Sequence, residues 1–346
     1  MLKASFFKYQ LHFKQASGTS RGILNFKNTW FLKVTNGKRE GIGECGMFEG
    51  LSIDDKPDYE AKLQWVCDHI NEGLVVLMDQ LLGYPSIQFG LEIAFKSLKS
   101  EDKTTLFPSS FTDGEDVIPI NGLIWMGSTT FMKNQIRERI NAGFRCLKLK
   151  IGAINFEEEL SIIKAIRAEY NSEELELRVD ANGAFKYDEA LEKLERLSEF
   201  NLHSIEQPIK QGQWNQMAAL CANTPLDIAL DEELIGVHSV TKKKKLLQTI
   251  QPQYIILKPT LIGGFSGSDS WINCAQSIGC KWWITSALES NIGLNAIAQY
   301  TYQLNNELPQ GLGTGSLFTN NIDAPLEVKN ATLQINKTKN WNLNSL

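Results

Sequence analysis

Charged side chains end five consecutive apolar runs between residues 146 and 259, and they are the first candidates for chemistry. In chain order, these residues and their polar neighbours are Lys148, Lys150, Asp180, Asn182, Glu206, Asp231, Glu232 and Lys258. A single acid at the end of a strand is most often a helix cap or a surface ion-pair partner. The repeated pattern favours a shared site instead, because a buried charge without a partner costs several kcal/mol.

The three acids Asp180, Glu206 and Asp231 would offer carboxylate oxygens without any histidine or cysteine. Such a ligand set favours a hard cation, Mg²⁺ first and Mn²⁺ second, and disfavours zinc. A lysine on either side of the acids adds a base, because a cation lowers the pKa of a neighbouring lysine and lets it take a proton from carbon. The sequence therefore predicts proton removal next to the carboxylate of a small-molecule substrate, through an enediolate.

A repeat of strands and helices has to position these residues. Apolar runs recur there at steps of 25 to 30 residues, with amphipathic segments between them. In the segment over 156–170, for example, Leu160, Ile163 and Ile166 share one helical face. Seven or more such units demand parallel pairing and favour a closed barrel, whose active site lies at the C-terminal ends of its strands. An open doubly wound sheet is disfavoured, because no GxGxxG motif follows an early strand.

The first hundred residues have a different pattern. Aromatic and β-branched residues mix with polar ones over 3–13 and 29–35, and the second run ends at Asn36 and Gly37, a strong hairpin signal. Apolar residues then return at helical spacing over 59–99. We therefore expect a small domain in which a few helices pack on a β-meander.

Composition sets the broad class of the protein. Of the 346 residues, 42% are hydrophobic and 22% are charged, which is typical of a folded globular chain. The net charge of -5 and the absence of long basic runs argue against nucleic-acid binding. No signal peptide or membrane-spanning run is recognised, so a cytoplasmic protein without membrane contact is expected. The six cysteines show no CxxC spacing and are expected to be reduced core thiols.

The motifs KLK, DANG, EQP, DE and KP, in this order and at this spacing, resemble the muconate-lactonizing subgroup of the enolase superfamily over nearly the whole chain. The resemblance implies an α/β fold, with a TIM-like (β/α)7β barrel over residues 117–318. It also implies an N-terminal α+β capping domain over residues 1–110. Residues 319–346 are expected to return to the capping domain.

The same resemblance implies a role for each candidate residue. The three acids match carboxylates that bind Mg²⁺ in that subgroup. Lys150 and Lys258 match two catalytic lysines that face each other across the substrate, and Lys148 would assist Lys150 electrostatically. Asn182 and Glu232 are expected to support the catalytic groups.

Three stretches look most like the dehydratases of menaquinone biosynthesis within this subgroup, namely 17–26, 285–299 and 311–318. The first is expected to be a mobile loop that closes over the substrate. The implied substrate contacts are Ser20, Arg21, Ser286, Glu289 and Gly313. The implied reaction removes water from a hydroxycyclohexadiene carboxylate that carries a succinyl side chain, and it gives an aromatic product. Without the resemblance, Arg21 would be an ordinary surface residue, and Glu289 would place a negative charge in the first turn of the helix that follows.

Other functions are left open by the sequence. An N-succinylamino acid racemase or a dipeptide epimerase would use the same cation and both lysines as a two-base pair. The Asp-x-Asp pair usual in the epimerases is absent between Ile284 and Phe318. A non-catalytic binding barrel is a third interpretation, which the intact Lys150 and Lys258 disfavour. The oligomeric state is not predicted.

Overall fold

The N-terminal part of the chain is an antiparallel sheet covered by helices. The computed structural model describes residues 1–19, 22–125, 127–344 and 346. Its first elements are β1 (Lys3–Thr19), β2 (Gly22–Thr35), β3 (Glu40–Cys45), α1 (Tyr59–Asp68), a 3-10 turn (Ile70–Glu72), α2 (Leu74–Gln80) and α3 (Pro85–Lys99). The strands pair in the order β1, β2, β3, and α3 packs on β3. The predicted arrangement of helices on a β-meander is confirmed.

The first two strands extend further than the sequence predicts. They remain paired as far as Thr19 and Gly22, so the described part of the predicted loop consists of two antiparallel strands. Its short polar residues and glycines have low strand propensity, which hid the strands from sequence reasoning, and pairing between the strands overrides that propensity. Ser20 and Arg21, predicted to contact substrate from this stretch, lie outside the described residues.

The second part is a parallel barrel surrounded by helices. Its strands are β5 (Gly122–Ile124), β6 (Cys146–Lys150), β7 (Glu176–Asp180), β8 (Ser204–Glu206), β9 (Ile228–Leu230), β10 (Tyr254–Leu257) and β11 (Lys281–Ile284), preceded by the short β4 (Ile118–Pro119). Its helices are α4 (Thr129–Asn141), α5 (Phe156–Glu169), α6 (Tyr187–Ser198), α7 (Trp214–Asn223), α8 (Val240–Ile250), α9 (Pro259–Ile262), α10 (Gly264–Gln276) and α11 (Asn291–Gln303), with a 3-10 turn (Glu232–Leu234). The strands pair in sequence order from β5 to β11.

A short eighth strand closes the sheet. Gln310 forms a parallel bridge with Ile120 on one side, and Gly311 forms one with Thr285 on the other. Seven strand and helix units followed by one strand make the predicted (β/α)7β barrel, which is confirmed. No helix in the described ranges is long and apolar enough to span a membrane.

Alternation along each strand separates the barrel interior from the helical layer. On β6, Leu147 and Leu149 are buried in the main hydrophobic core, which includes residues of the surrounding helices. Lys148 and Lys150 alternate with them and therefore face the interior. Parallel strands covered on both faces are normally apolar throughout, so lysines at these positions require partners inside the barrel. All six cysteines are buried and free.

The chain after the eighth strand contacts both parts of the molecule. A hairpin of β12 (Leu326–Lys329) and β13 (Thr332–Ile335) pairs with β4. Ile322, Trp341 and Leu343 pack in a cluster with Phe31 of the N-terminal sheet. These contacts support the expected return to the capping domain, while the exact domain boundaries stay a prediction.

A buried carboxylate of α3 joins the capping domain to the barrel. Glu92 accepts hydrogen bonds from the backbone N–H of Phe265 (2.5 Å) and of Ser266 (3.1 Å), in the first turn of α10. Burial raises the pKa of Glu92, and these hydrogen bonds lower it in part. Gly264 has φ +75°, and a Cβ added there would lie 2.2 Å from Glu92 Oε2. This junction therefore needs glycine for its backbone conformation and for the approach of the carboxylate.

Replacing Gly264 with alanine is expected to lower the free energy of unfolding by about 3 kcal/mol. The left-handed backbone accounts for about 1–2 kcal/mol, and displacement of Glu92 accounts for the rest. Gly279→Ala is the matched control, because Gly279 has φ +72° and no atom within 4 Å of an added Cβ. Urea unfolding would compare the two variants, and equal losses would show that the Glu92 contact is dispensable.

Candidate active site

The strand ends bring the predicted residues together at one end of the barrel. Parallel pairing sets Lys150 beside Asp180 and Asp180 beside Glu206. Asp231 follows β9 directly, and Lys258 follows β10. The three carboxylates are at most 2% exposed. Their side chains are therefore held in a nearly water-free environment, where every charge depends on its neighbours.

Each of the three carboxylates contacts a lysine. Lys148 Nζ lies 2.9 Å from Asp180 Oδ2 and also contacts Glu206. Lys150 Nζ lies 2.7 Å from the same Asp180 oxygen, and Lys258 Nζ contacts Asp231. Lys148 thus links two carboxylates from neighbouring strands, and its assisting role toward Lys150 stays a prediction.

Asn182 and Glu232 extend this arrangement. Asn182 has φ 45°, a conformation that asparagine tolerates. Its side-chain oxygen accepts a hydrogen bond of 2.7 Å from Lys150 Nζ, and its Nδ2 donates to Glu232 Oε1 at 3.0 Å. Its backbone N–H donates to Asp180 Oδ1 at 3.0 Å. Asn182 therefore orients both the lysine and the acid, and Glu232 orients Asn182.

The lysines shift the protonation of the acids, and the acids shift that of the lysines. Burial by itself would raise the pKa of Asp180, but the ammonium groups of Lys148 and Lys150 lower it below its usual range. Burial would lower the pKa of Lys148 and of Lys258, but the carboxylates around them raise both above the usual lysine value. Burial, together with the charge of Asp180, raises the pKa of Glu206. Lys148 and Lys258 are therefore held as cations.

The oxygen donors of these carboxylates are of the type that a divalent cation binds, although the side chains are too far apart to hold one as they stand. All donors are carboxylate oxygens, and Glu206 Oε1 is buried with no hydrogen-bond partner in the described part of the chain. Within the same residues, no three His, Cys, Asp or Glu side chains are close enough to hold an ion as they stand. The charges of Asp180 and Asp231 both raise the pKa of Glu206, so the three carboxylates lie close enough to interact. The donor set fits a hard cation.

A cavity of about 500 Å³ lies over these groups. Lys148, Lys150 and Lys258 line its polar side, and Phe48 and Leu51 reach it from the capping domain. The predicted contacts Ser286 and Gly313 line the cavity as well, together with Asn182 and Glu232. The cavity thus combines several cations with an apolar wall, which suits a carboxylate joined to a hydrocarbon ring.

Glu289 occupies a different place from the one expected of a substrate contact. It is fully buried and is not part of the cavity lining. Its carboxylate accepts hydrogen bonds from Ser286 Oγ at 2.5 Å, from the N–H of Ala287 at 2.9 Å and from Thr260 Oγ1. Ser286 Oγ in turn accepts from Thr314 Oγ1 at 2.8 Å. Glu289 therefore orients the cavity wall, and its direct contact with substrate remains a prediction.

Sequence reasoning missed Phe48, Leu51, Thr260 and Thr314. Thr260 stands two residues after Lys258, and Thr314 lies in the stretch over 311–318. Both could therefore have been predicted from their positions in the sequence. The two capping residues carry no local signal, because only the packing of the two domains brings them to the cavity.

Comparison with known proteins agrees with this fold. Residues 132–339 match the family model described as Enolase C-terminal domain-like. An o-succinylbenzoate synthase from Desulfotalea psychrophila (strain LSv54 / DSM 12343) is 43% identical, over 96% of this chain and 99% of its own length. An L-Ala-D/L-Glu epimerase from Bacillus subtilis (strain 168) is 24% identical, over 54% of this chain and 50% of its own. The crystal structure of MenC from Desulfotalea psychrophila LSv54 has a TM-score of 0.87 at 40% identity, covering 96% of this chain and 99% of that chain.

Replacing Lys148 with methionine is expected to lower the free energy of unfolding by about 3 kcal/mol, because it leaves two buried carboxylates without their shared cation. Lys103→Met is the control, since Lys103 pairs with Glu40 at the exposed surface, where an ion pair contributes at most about 1 kcal/mol. Urea unfolding measures both losses. A loss for Lys148→Met as small as the control would contradict the charge balance described above.

Proposed function

The chain belongs to the o-succinylbenzoate synthases, dehydratases of the enolase superfamily, and we propose that Lys150 and Lys258 are the groups that carry out its reaction. One observation carries this proposal. Lys150 ends β6 and Lys258 follows β10, four strands apart in a barrel closed by an eighth strand. Two positions four strands apart in such a barrel lie on opposite sides of its axis. A substrate in the cavity would then have one lysine at each face.

We propose that Lys150 is the acid and base of the reaction. Its amine takes the proton from the carbon next to the substrate carboxylate, and the electron pair of that C–H bond forms an enediolate. As the C–O bond to the hydroxyl group breaks, the same lysine returns the proton, and water leaves. The contact with Asn182 keeps the amine directed during both transfers. The product is an aromatic succinylbenzoate, as menaquinone biosynthesis requires.

We assign Lys258 the role of a permanent cation. Its contact with Asp231 and the raised pKa of its ammonium keep it protonated. A fixed positive charge at the opposite face offsets the negative charge that develops on the substrate, without any proton transfer of its own. The ammonium also suits a cation–π contact with the ring as it becomes aromatic.

Asp180, Glu206 and Asp231 are the residues that would hold Mg²⁺. When bound, this ion would stabilise the charge that develops on the substrate carboxylate. Lys148 contacts both Asp180 and Glu206, and its charge lowers the pKa of each acid, which favours the ionised form that would bind the ion. Mn²⁺ fits the same oxygen donors.

The isomerase alternative has weaker support. Its relatives share less of the sequence over a shorter part of each chain, whereas the dehydratase relative extends over nearly the whole chain. The two lysines alone do not separate the activities, because a racemase would place them in the same way. Racemisation of N-succinylamino acids therefore remains the second candidate, and it is tested below.

Replacing Asp180 with asparagine is expected to reduce Mg²⁺ affinity about 100-fold or more, since even the loss of an outer partner of a metal ligand costs 10–100-fold. Isothermal titration calorimetry on the free protein would measure it. Asp227→Asn is the control, because Asp227 is exposed and precedes β9, at the other end of the barrel from Asp231. Unchanged Mg²⁺ binding by folded Asp180→Asn would contradict the metal assignment.

The same substitution at both lysines separates dehydration from racemisation. Arginine stays charged and cannot act as a base. Lys258→Arg is therefore expected to keep dehydration within about 100-fold of the parent, whereas Lys150→Arg should lose about 1,000-fold or more in kcat, the range attributed to acid–base groups. Product formation from the hydroxycyclohexadiene carboxylate measures both.

The matching assay follows exchange of the α-proton of an N-succinylamino acid in D₂O. We expect this exchange to be slow compared with dehydration. Equal losses for the two arginine variants, together with racemisation faster than dehydration in kcat/KM, would replace the dehydratase proposal with the two-base isomerase.

A further inference from the structure

Lys27 is a buried lysine of the capping domain that lies next to the active site without lining its cavity. It belongs to β2 and is 6% exposed. Its Nζ donates a hydrogen bond of 3.1 Å to the backbone oxygen of Gly46, just after β3. A Cβ added at Gly46 would lie 3.2 Å from this Nζ and 3.5 Å from both Glu289 Cγ and Thr260 Cγ2. Lys27 Nζ and the segments that follow β10 and β11 therefore all lie close to Gly46.

Two buried carboxylates face this ammonium, one from each domain. Glu44 of β3 accepts hydrogen bonds from the N–H of Ser290 at 2.9 Å and of Gly293 at 2.8 Å, at the start of α11. Glu289 holds the cavity wall, as described above. Both glutamates are fully buried. Burial lowers the pKa of Lys27, and the charges of Glu289 and Glu44 raise it in part, which shows that the three charges interact.

The contacts of Glu289 connect this group of charges to the reaction. Thr260, which donates to Glu289, stands two residues after Lys258. Ser286, which also donates to Glu289, lines the cavity. The carboxylate of Glu289 accepts both hydroxyl groups, so its position sets the orientation of Thr260 and of Ser286 together. The orientation of the wall therefore depends on where the carboxylate of Glu289 is held.

Resting on the proposed function, we propose that Lys27 is a positioning residue of the active site. Its ammonium offsets the buried charges of Glu44 and Glu289, and through Glu289 it fixes the wall at Ser286 and the loop after Lys258. It touches neither the substrate nor the reacting atoms. In this way the capping domain orients the barrel residues from behind the cavity, in addition to covering it with Phe48 and Leu51.

Lys27→Met removes the charge and keeps most of the side-chain length. We expect KM for the hydroxycyclohexadiene carboxylate to rise about tenfold or more, because the wall at Ser286 loses its fixed orientation. The kcat should change less than about threefold, since Lys258 keeps its contact with Asp231 and Lys150 is untouched. Lys33→Met is the matched control on the same strand, and its KM should stay within about twofold of the parent.

A double variant tests whether the two charges depend on each other. Lys27→Met with Glu289→Gln removes one charge of each sign. The fold-loss of the double variant should therefore be about tenfold smaller than the product of the two single fold-losses, both in kcat/KM and in the unfolding equilibrium constant. Full multiplicative losses, or a parental KM for Lys27→Met, would overturn the proposal. If Lys27→Met does not fold, folding of the double variant supports the proposal, and its failure beside a folded Glu289→Gln overturns it.

The unfolding measurements need no substrate. If the parent protein does not dehydrate the hydroxycyclohexadiene carboxylate, the proposed function fails, while the coupling between Lys27 and Glu289 in urea unfolding still decides whether the two charges depend on each other. Coupling without any change in KM would assign Lys27 to stability alone and overturn its positioning role.

Discussion

The burial of acids and lysines side by side at one end of the barrel is the constraint on which the rest of the structure depends. Removing a carboxylate or an ammonium group from water costs several kcal/mol, and only close opposite charges offset this cost. Parallel pairing makes the arrangement possible, because it sets Lys150, Asp180 and Glu206 beside one another. The helical layer in turn keeps the strands in that register. The fold is thus organised around charges that would destabilise it individually.

The capping domain follows the same rule at its junction with the barrel. Glu92 and Glu44, both buried, accept N–H groups at the starts of α10 and α11. Helix N-termini favour negative charge and have free N–H donors, so these carboxylates serve as caps supplied by another domain. The capping domain is therefore bound to the barrel by polar contacts that require an accurate fit. This fit fixes where Phe48 and Leu51 close the cavity.

Sequence reasoning reached the barrel and the residues at its mouth because their signals are local. Strand length, the step between runs and the alternation around Lys148 and Lys150 are all visible within a few dozen residues. The contacts of Lys27 and Glu44 were not predictable in this way, since they join residues far apart in the chain through the docking of two domains. Glu289 was predicted to contact the substrate, but in the structure its carboxylate accepts hydrogen bonds from neighbouring hydroxyl groups. Burial of that kind depends on the whole fold.

Under the proposed function, the placement of the two lysines would suit more than one reaction on the same scaffold. Lys150 and Lys258 stand at opposite faces of the cavity, and either proton transfer by one of them or transfer by both fits that placement. What distinguishes the reactions is the position of the substrate between the lysines and the ease with which its hydroxyl group leaves. Both depend on the wall formed by Ser286, Gly313 and the capping domain. Under the proposed function, specificity is expected to lie in the residues that orient the wall, and the charged groups at the mouth would supply the chemistry that these reactions share.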